Sequence, residues 1–205
     1  MQRIWIGALL LCLIAVFASH SATGYFNASE LNSNNTFSTA TNWPELLRPN
    51  GAGNSTQNSP NGAAENWQCI AEDPSDEDST YVQCDATSYL KDIYSAQNHS
   101  VGSGTISKVT VNIRCRKVES YLDQTVYAKT VLRTYDTDYE GSEVSLPQVY
   151  TVYSTEYTVN PNTSNAWTWD EIDALECGVS LKSAQSDAWD YARCTQVWVA
   201  VCYTT

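Results

Sequence analysis

The sequence is poor in positive charge and in the side chains that most enzymes use for catalysis. Its 205 residues include 11 Lys and Arg against 23 Asp and Glu, which gives a formal net charge of −12. Phosphate binding needs a basic face, so this balance argues against a nucleic-acid partner. His99 is the only histidine after residue 24, and no G-x-S-x-G nucleophile motif is present. We therefore expect a protein that is not an enzyme.

The N-terminus has the features of a secretory signal. Arg3 supplies a positive charge, residues 4–17 form an apolar run, and small residues follow up to Gly24. The alternative is a retained membrane anchor, but the run is short for a bilayer span. We predict a signal peptide over residues 1–24, an extension over 25–44 and one domain over 45–205. The protein is then secreted, with no membrane contact after cleavage.

Cysteine usage agrees with export. Of seven cysteines, Cys12 lies inside the predicted signal, and six remain. An even count in an exported chain predicts disulfides, and the lack of a C-x-x-C pair argues against zinc. The six are Cys69, Cys84, Cys115, Cys177, Cys194 and Cys202. Local clips would join Cys69 to Cys84 and Cys177 to Cys194, which leaves Cys115 for Cys202.

Five Asn-x-Ser/Thr sequons predict a glycosylated surface. They all fall in predicted loops or in the N-terminal extension. Their acceptors are Asn27, Asn34, Asn54, Asn98 and Asn162.

An acidic loop over residues 72–78 is the one candidate for metal binding. Oxygen ligands from Glu72, Asp73, Asp76 and Asp78, with backbone carbonyls, suit Ca²⁺. The spacing is not that of an EF-hand, and the alternative is a solvated turn whose acids cap their neighbours. We predict no cofactor, with Ca²⁺ in this loop as the one alternative.

The C-terminal run predicts the centre of the fold. Val197, Val199, Val201 and Tyr203 share one face of an extended strand, whereas Trp198 lies on the other. Such a strand lies inside a sheet and needs a second layer to bury its valines. A second alternating strand covers residues 108–116. We therefore predict an all-β protein, a two-sheet antiparallel β-sandwich of the jelly-roll type.

The remaining stretches predict smaller elements. Residues 50–62 are rich in Gly, Asn, Ser and Pro and predict a loop, and residues 66–70 predict a strand paired with 79–84. Thr168 and Glu171 form a capping box that predicts one short helix near 169–176, with Gly178 ending its last turn.

The N-terminal extension supplies a candidate assembly strand. Phe37, Thr39, Thr41 and Trp43 fall on one face of an extended segment. Such a strand would add to the sheet edge of a neighbouring subunit, and the alternative is a glycosylated leader without a partner.

Several short motifs follow one another in a fixed order, and they include residues 47–51, 66–67, 76–82, 160–163, 167–175 and 195–199. Their order resembles that in an uncharacterised group of β-sandwich domains in phage virion proteins and microbial surface proteins. The resemblance spans about residues 46–205 and implies a jelly-roll-like, non-catalytic structural module. Neither the cysteines nor the extension belongs to that pattern.

These features favour a structural subunit that polymerises with itself into an extracellular filament or surface layer. The alternative is a carbohydrate-binding or adhesive module, in which exposed aromatics stack on surface glycans. The tyrosines that would form such a platform are Tyr135, Tyr139, Tyr150, Tyr153 and Tyr157. A third hypothesis, a glycosidase using Asp170, Glu171 or Asp173, is weaker because the helix start explains these acids.

Overall fold

The computed structural model describes residues 44–101, 103–118, 125–184 and 191–204. Within these ranges the chain forms mostly strands, with one 3₁₀ turn at Asn66–Cys69 and one helix, α1, at Trp169–Ala174. The strands are β1 (Glu45–Leu47), β2 (Pro49–Thr56), β3 (Ser59–Asn61), β4 (Tyr81–Cys84), β5 (Leu90–Ala96), β6 (Thr105–Val118), β7 (Tyr127–Thr134), β8 (Thr137–Glu140), β9 (Val144–Ser145), β10 (Thr151–Tyr157), β11 (Glu176–Lys182) and β12 (Tyr191–Thr204).

The strands form two antiparallel sheets. Sheet A has the order β10-β6-β12-β4-β3, and β1 also pairs with β12. Sheet B has the order β2-β5-β11-β7-β8, and β9 also pairs with β7. Their apolar faces share one hydrophobic core. The predicted fold class is confirmed: the protein is a jelly-roll-like β-sandwich.

The C-terminal strand lies inside sheet A, as predicted. Val197, Val199 and Val201 have no exposed surface, and β12 pairs with β6 along one side and with β4 and β1 along the other. Alternation on a two-layer protein places every second side chain in the core. The valines of β12 therefore lie beside the apolar residues of β6, and both sets belong to the core that sheet A shares with sheet B.

The prediction of a loop over residues 50–62 is wrong, because this stretch forms β2 and β3. β2 pairs with β5 at the edge of sheet B. The pairing has two register shifts, which accommodate the small residues of β2. A Cβ on Gly53 would lie 2.6 Å from the carbonyl oxygen of Ile93. The composition that suggested a loop instead allows β2 to approach its neighbour closely.

The strand predicted at residues 66–70 is a 3₁₀ turn. The Gln68 amide donates to the carbonyl oxygen of Glu65, and the Glu65 amide donates to the side chain of Gln68. These local bonds use backbone groups that a strand would have given to a neighbour. β4 pairs instead with β3 and β12.

The predicted helix is confirmed, but its end differs. Thr168 accepts a hydrogen bond from the Glu171 amide, Glu171 bonds back to the Thr168 amide, and Ile172 is buried. Gly178 does not end this helix, since it lies within β11. A Cβ there would be 2.0 Å from the carbonyl oxygen of Asp92, so close packing of β11 against β5 requires glycine.

Several predictions lie outside the described residues. They are the signal peptide, the N-terminal extension with Phe37, Thr39, Thr41 and Trp43, and the sequons at Asn27 and Asn34. Over the ranges that the structure does describe, no helix combines the length and the apolar character needed to span a bilayer.

A buried carboxyl group ties the start of the domain to β5. Asp92 has no exposed surface and accepts four hydrogen bonds. Its donors are the amide nitrogens of Gln57 (2.6 Å) and Asn58 (2.9 Å), Asn66 Nδ2 (2.7 Å) and the Tyr94 hydroxyl (2.9 Å). A buried acceptor with this many donors fixes the connection between β2 and β3 against the core.

We expect Asp92→Ala to destabilise the protein by about 3 kcal/mol or more, because it leaves buried donors without an acceptor. Chemical unfolding followed by circular dichroism measures the effect. The control is Asp85→Ala, at an exposed carboxylate, which should change stability by no more than about 0.5 kcal/mol. Equal effects of the two substitutions would contradict the role of Asp92.

Candidate functional site

Four of the five tyrosines of the predicted sugar platform, Tyr139, Tyr150, Tyr153 and Tyr157, are half-buried. The hydroxyl of Tyr153 donates to the carbonyl oxygen of Ser145, and that of Tyr157 donates to the carbonyl oxygen of Tyr139. Burial raises the pKa of Tyr157 to about 12. Tyr150 bonds to Asp78 at 3.1 Å. These rings belong to the sheet surface and do not form a platform.

Tyr135 differs from the other aromatic residues. It is 58% exposed, and among the described residues it is the only aromatic side chain in the exposed class. The turn between β7 and β8 carries it, since Thr134 pairs with Thr137 and leaves two residues at the tip. The φ angles of Tyr135 and Asp136 are 48° and 58°, in the left-handed region that two-residue hairpin turns require.

This turn uses neither glycine nor asparagine at its two central positions. A non-glycine residue with a positive φ costs free energy, and such residues concentrate at functional sites. The surrounding hairpin therefore holds Tyr135 in a conformation that local preference disfavours. This conformation projects the ring beside helix α1.

Two cavities lie on either side of the turn. One has a volume of about 310 Å³ and reaches from Asn54 and Ser95 to Glu176, and the other has a volume of about 450 Å³ and reaches to Thr168 and Glu171. Both are lined by the same four residues, Thr134, Tyr135, Asp136 and Ala174. We call the two cavities together the Tyr135 cleft. Their volumes fall in the range of small-molecule sites.

Polar side chains converge on the Tyr135 cleft. The Tyr135 hydroxyl donates to Glu171 Oε1 at 3.0 Å, and this bond is the main cause of a raised Tyr135 pKa. Burial raises the pKa of Glu176, although Arg133 opposes this effect. Arg133 pairs with Glu176 at 3.3 Å and with Asp136 at 3.0 Å. The cleft thus combines one exposed ring, several carboxylates and one guanidinium group.

Elsewhere the protein's own cations cover aromatic faces. Arg193 lies 4.0 Å from the ring centre of Tyr81, Lys129 lies 4.4 Å from that of Tyr89, and Arg48 lies 5.3 Å from that of Trp198. Cation–π contacts of this kind stabilise surface rings and leave less of them for a ligand. Tyr135 has no such contact among the described residues.

The predicted calcium loop is occupied by protein partners. Asp73 pairs with Arg48 at 3.0 Å, and Asp76 accepts from the amide of Thr80 at 3.0 Å. Burial is the main cause that raises the Glu72 pKa. Asp78 pairs with Arg116 (2.9 Å) and Arg193 (3.2 Å).

The calcium prediction for Glu72, Asp73, Asp76 and Asp78 therefore gains no support. Within the described ranges, no group of three or more His, Cys, Asp or Glu is arranged to hold a metal ion.

All six predicted disulfide cysteines are free thiols in the structure. The proposed pairing of Cys115 with Cys202 is wrong, because Cys115 lies opposite Cys194 and Cys202 lies opposite Lys108. Seven residues of β6 separate the two positions, a span of roughly 23 Å along a strand. The structure does not join Cys69 to Cys84 or Cys177 to Cys194, and these pairings stay predictions.

Three predicted glycosylation sites fall on described residues, and all three are exposed: Asn54, Asn98 and Asn162. Their occupancy stays a prediction. Asn54 also lines the smaller cavity of the Tyr135 cleft.

Two of the three acids of the glycosidase hypothesis, Glu171 and Asp173, are engaged in local structure. Glu171 caps α1 and accepts from Tyr135, and Asp173 accepts from His99 Nδ1 at 2.7 Å. His99 in turn stacks against Trp169, with ring centres 4.7 Å apart. These residues brace one end of the sandwich beside the cleft.

Sequence reasoning identified Tyr135 and Glu171 but missed Arg133, Asp136 and Glu176. A hairpin between β7 and β8 would have brought Arg133 and Asp136 together. Its signal is weak, however, because Tyr-Asp replaces the usual Asn-Gly at the turn. Glu176 reaches the cleft only through the pairing of β11 with β7, which a single sequence does not reveal.

Comparisons with known proteins assign this chain to no family. No protein-family model matches the chain, and no curated protein matches it. One solved structure that resembles it is described as a xylan-binding module CBM15, with a TM-score of 0.41 and 6% identity over 78% of this chain and 94% of that one. So weak a likeness carries no argument about function.

A ladder of ion pairs crosses the outer face of sheet B beside the cleft. Lys91 pairs with Asp138 and Glu140, both at 3.0 Å. Burial opposes the ionisation of both acids, but hydrogen bonds outweigh it and lower their pKa values. The bonds to Asp138 come from Arg133 and Lys91, and those to Glu140 come from Lys129 and Lys91.

We expect this ladder of ion pairs to make the free energy of unfolding depend on pH. A carboxylate whose pKa is lowered by folding stabilises the protein above its unfolded pKa, which is about 4, and loses that effect as pH falls through the folded value. The double variant Asp138→Asn/Glu140→Gln should therefore be less stable at pH 6 and lose less stability between pH 6 and pH 3. Urea unfolding at each pH measures this. Glu156→Gln, at an exposed ion pair, is the control, and an unchanged pH dependence in the double variant would contradict the ladder.

Proposed function

We propose that the protein is a non-catalytic carbohydrate-binding module and that the Tyr135 cleft is its binding site. The observation that carries the proposal is the one aromatic ring that is exposed among the described residues, held between two cavities on a strained turn. Sugar rings present C–H faces that stack on an aromatic ring and hydroxyl groups that need polar partners. The cleft supplies both.

The residues of the Tyr135 cleft would have different roles in binding a sugar. The face of Tyr135 supplies apolar area for stacking, while Asp136, Asp170 and Glu176 supply acceptors for sugar hydroxyls. The bond from the Tyr135 hydroxyl to Glu171 holds the ring in one orientation, which lowers the entropy lost on binding.

The charge of the cleft selects among glycans. Asp136, Asp173 and Glu176 line the smaller cavity, and Arg133 is its only Lys or Arg. An acidic polysaccharide would meet repulsion there, so the preferred ligand is a neutral glycan. The overall net charge of −12 acts in the same direction.

We expect Tyr135→Ala to weaken binding to a neutral oligosaccharide by at least about tenfold, because it removes the stacking surface. Tyr135→Phe keeps the ring and should keep most of the affinity. Protein made without glycosylation is screened on a glycan array, and hits are measured by calorimetry. Val149→Ala changes an exposed residue on another part of the surface and serves as the control.

The proposal fails if the array gives no hit, or if Tyr135→Ala binds as the unmodified protein does. An equal loss in Tyr135→Ala and Val149→Ala would show a general effect on folding. Circular dichroism of each variant separates that outcome from loss of the site.

A second candidate, the self-assembling structural subunit, rests on the edge strand β10. It pairs with β6 over seven residues without a register shift, and no described strand covers its other side. Val149, Val152 and Val159, on or beside β10, are 69%, 43% and 44% exposed. Natural edges are guarded by proline, charged side chains or bulges, and of these β10 contains only the charge of Glu156, which is paired with Lys108.

We infer that a second copy would supply the strand that β10 lacks, from the segment with Phe37, Thr39, Thr41 and Trp43. Its alternation suits addition to an edge, and the adjacent β1 belongs to the same sheet. This geometry would make the secreted polymer a chain of copies joined by donated strands.

Deleting residues 25–43 should abolish filaments in electron micrographs, and Val152→Lys should weaken them by placing a charge on the edge. Ser107→Lys, at an exposed position outside β10, is the matched control. Unchanged filaments in the deletion variant would remove strand donation, and monomers in the unmodified protein would remove assembly.

A further inference from the structure

The two longest strands place one pair of thiols face to face. β6 and β12 each have 14 residues, and their register sets Cys115 directly opposite Cys194. Both side chains are fully buried and belong to the core between the sheets. Opposed residues of an antiparallel pair have Cα atoms about 4.5–5.5 Å apart, within the range of about 4.4–6.8 Å that a disulfide spans.

A β-bulge keeps both thiols on the same face. The register shifts between Cys194 and Gln196, so Thr195 is an extra residue in β12. Its hydroxyl lies between two carbonyl oxygens that can share its one proton, those of Glu77 (2.9 Å) and Thr80 (3.0 Å). This anchor fixes the extra residue away from the core and holds Cys194 inward, toward Cys115.

The remaining described cysteines have no cysteine opposite them. Cys84 lies opposite Ala192, Cys177 opposite Leu132 and Tyr94, and Cys202 opposite Lys108. The Cys69 thiol donates to the carbonyl oxygen of Asn61 at 3.4 Å. Strand pairing therefore selects one couple from the described cysteines.

We propose that Cys194 forms a cross-strand disulfide with Cys115, in place of the predicted pairing with Cys177, in the mature protein and that the structure shows its reduced form. The oxidant is a disulfide, RSSR, of the folding compartment. The Cys115 thiolate attacks one sulfur and releases RSH after proton uptake. The Cys194 thiolate then attacks Cys115 Sγ of the mixed disulfide and releases the second RSH. Two thiols lose two electrons and two protons, and RSSR becomes two RSH.

The core also sets when the bond forms. Burial raises the pKa of the Cys115 thiol well above its ordinary value, and the neighbouring Cys194 adds to this effect. Because the thiolate is the reacting species, exchange is slow once the sheets have closed. The bond therefore forms before packing is complete and then resists reductants that the folded protein excludes.

Peptide mapping tests the proposal directly. The full chain is reduced, refolded in a mixture of oxidised and reduced glutathione, unfolded in guanidinium with N-ethylmaleimide, and digested. We expect a linked peptide containing Cys115 and Cys194, which survives dithiothreitol applied to the native protein and disappears when the reductant is applied in guanidinium. Alkylation of both residues without reduction, or a link from either to another cysteine, would overturn the proposal.

Unfolding provides a second readout. Breaking the bond should lower the urea midpoint of the oxidised wild type by about 1 M or more. Cys177→Ala, at a buried cysteine of sheet B, should keep this response, whereas Cys115→Ala/Cys194→Ala should lose it. A response retained in the double variant would also overturn the proposal, and if that variant does not fold, the wild-type map decides.

Discussion

The pairing of β6 with β12 is the constraint on which the rest of the structure depends. The two strands carry the valines and isoleucines that fill the space between the sheets, and each buried aliphatic side chain contributes about 1.5–3 kcal/mol. β12 also holds β1 and β4, and β6 holds β10, so every strand of sheet A except β3 contacts this pair directly. A shift of its register by one residue would move each core side chain of the shifted strand to the solvent face.

The outer face of sheet B carries charged side chains that pair with one another. Lys91, Lys129 and Arg133 form ion pairs with Asp138 and Glu140 of β8. In sheet A, arginine side chains cover the rings of Tyr81 and Trp198. Against this background the exposed ring of Tyr135 is informative, since the other aromatic side chains among the described residues are buried or half-buried.

Local pattern revealed the parts of the fold that repeat along a strand or helix. The alternation around Val199 and the capping box at Thr168 each predicted an element that the structure contains, because side-chain spacing and short-range hydrogen bonds encode them. Composition misled at residues 50–62, where small residues serve close strand contact. Gly178 was wrongly predicted to end the helix. It is a glycine because β11 packs closely against the carbonyl oxygen of Asp92 in β5, which is distant in sequence.

The candidate site was harder to predict because contacts between strands assemble it. The sequence marked Tyr135 as one of five tyrosines and gave no reason to prefer it. Only the hairpin register and the packing of α1 show that Tyr135 stays uncovered and that Glu176 lies nearby. Disulfide partners have the same dependence, since the separation of Cys115 from Cys194 along the chain says nothing about their adjacency.

The position of Asn54 gives the choice of production host a structural meaning. This residue begins a sequon and borders the smaller cavity, so an attached oligosaccharide would stand at the mouth of the cleft as a tethered competitor. Such a tethered sugar is present at high effective concentration and would mask weak ligands. Protein from a host that glycosylates Asn54 should therefore bind ligands differently from protein made in a host that does not.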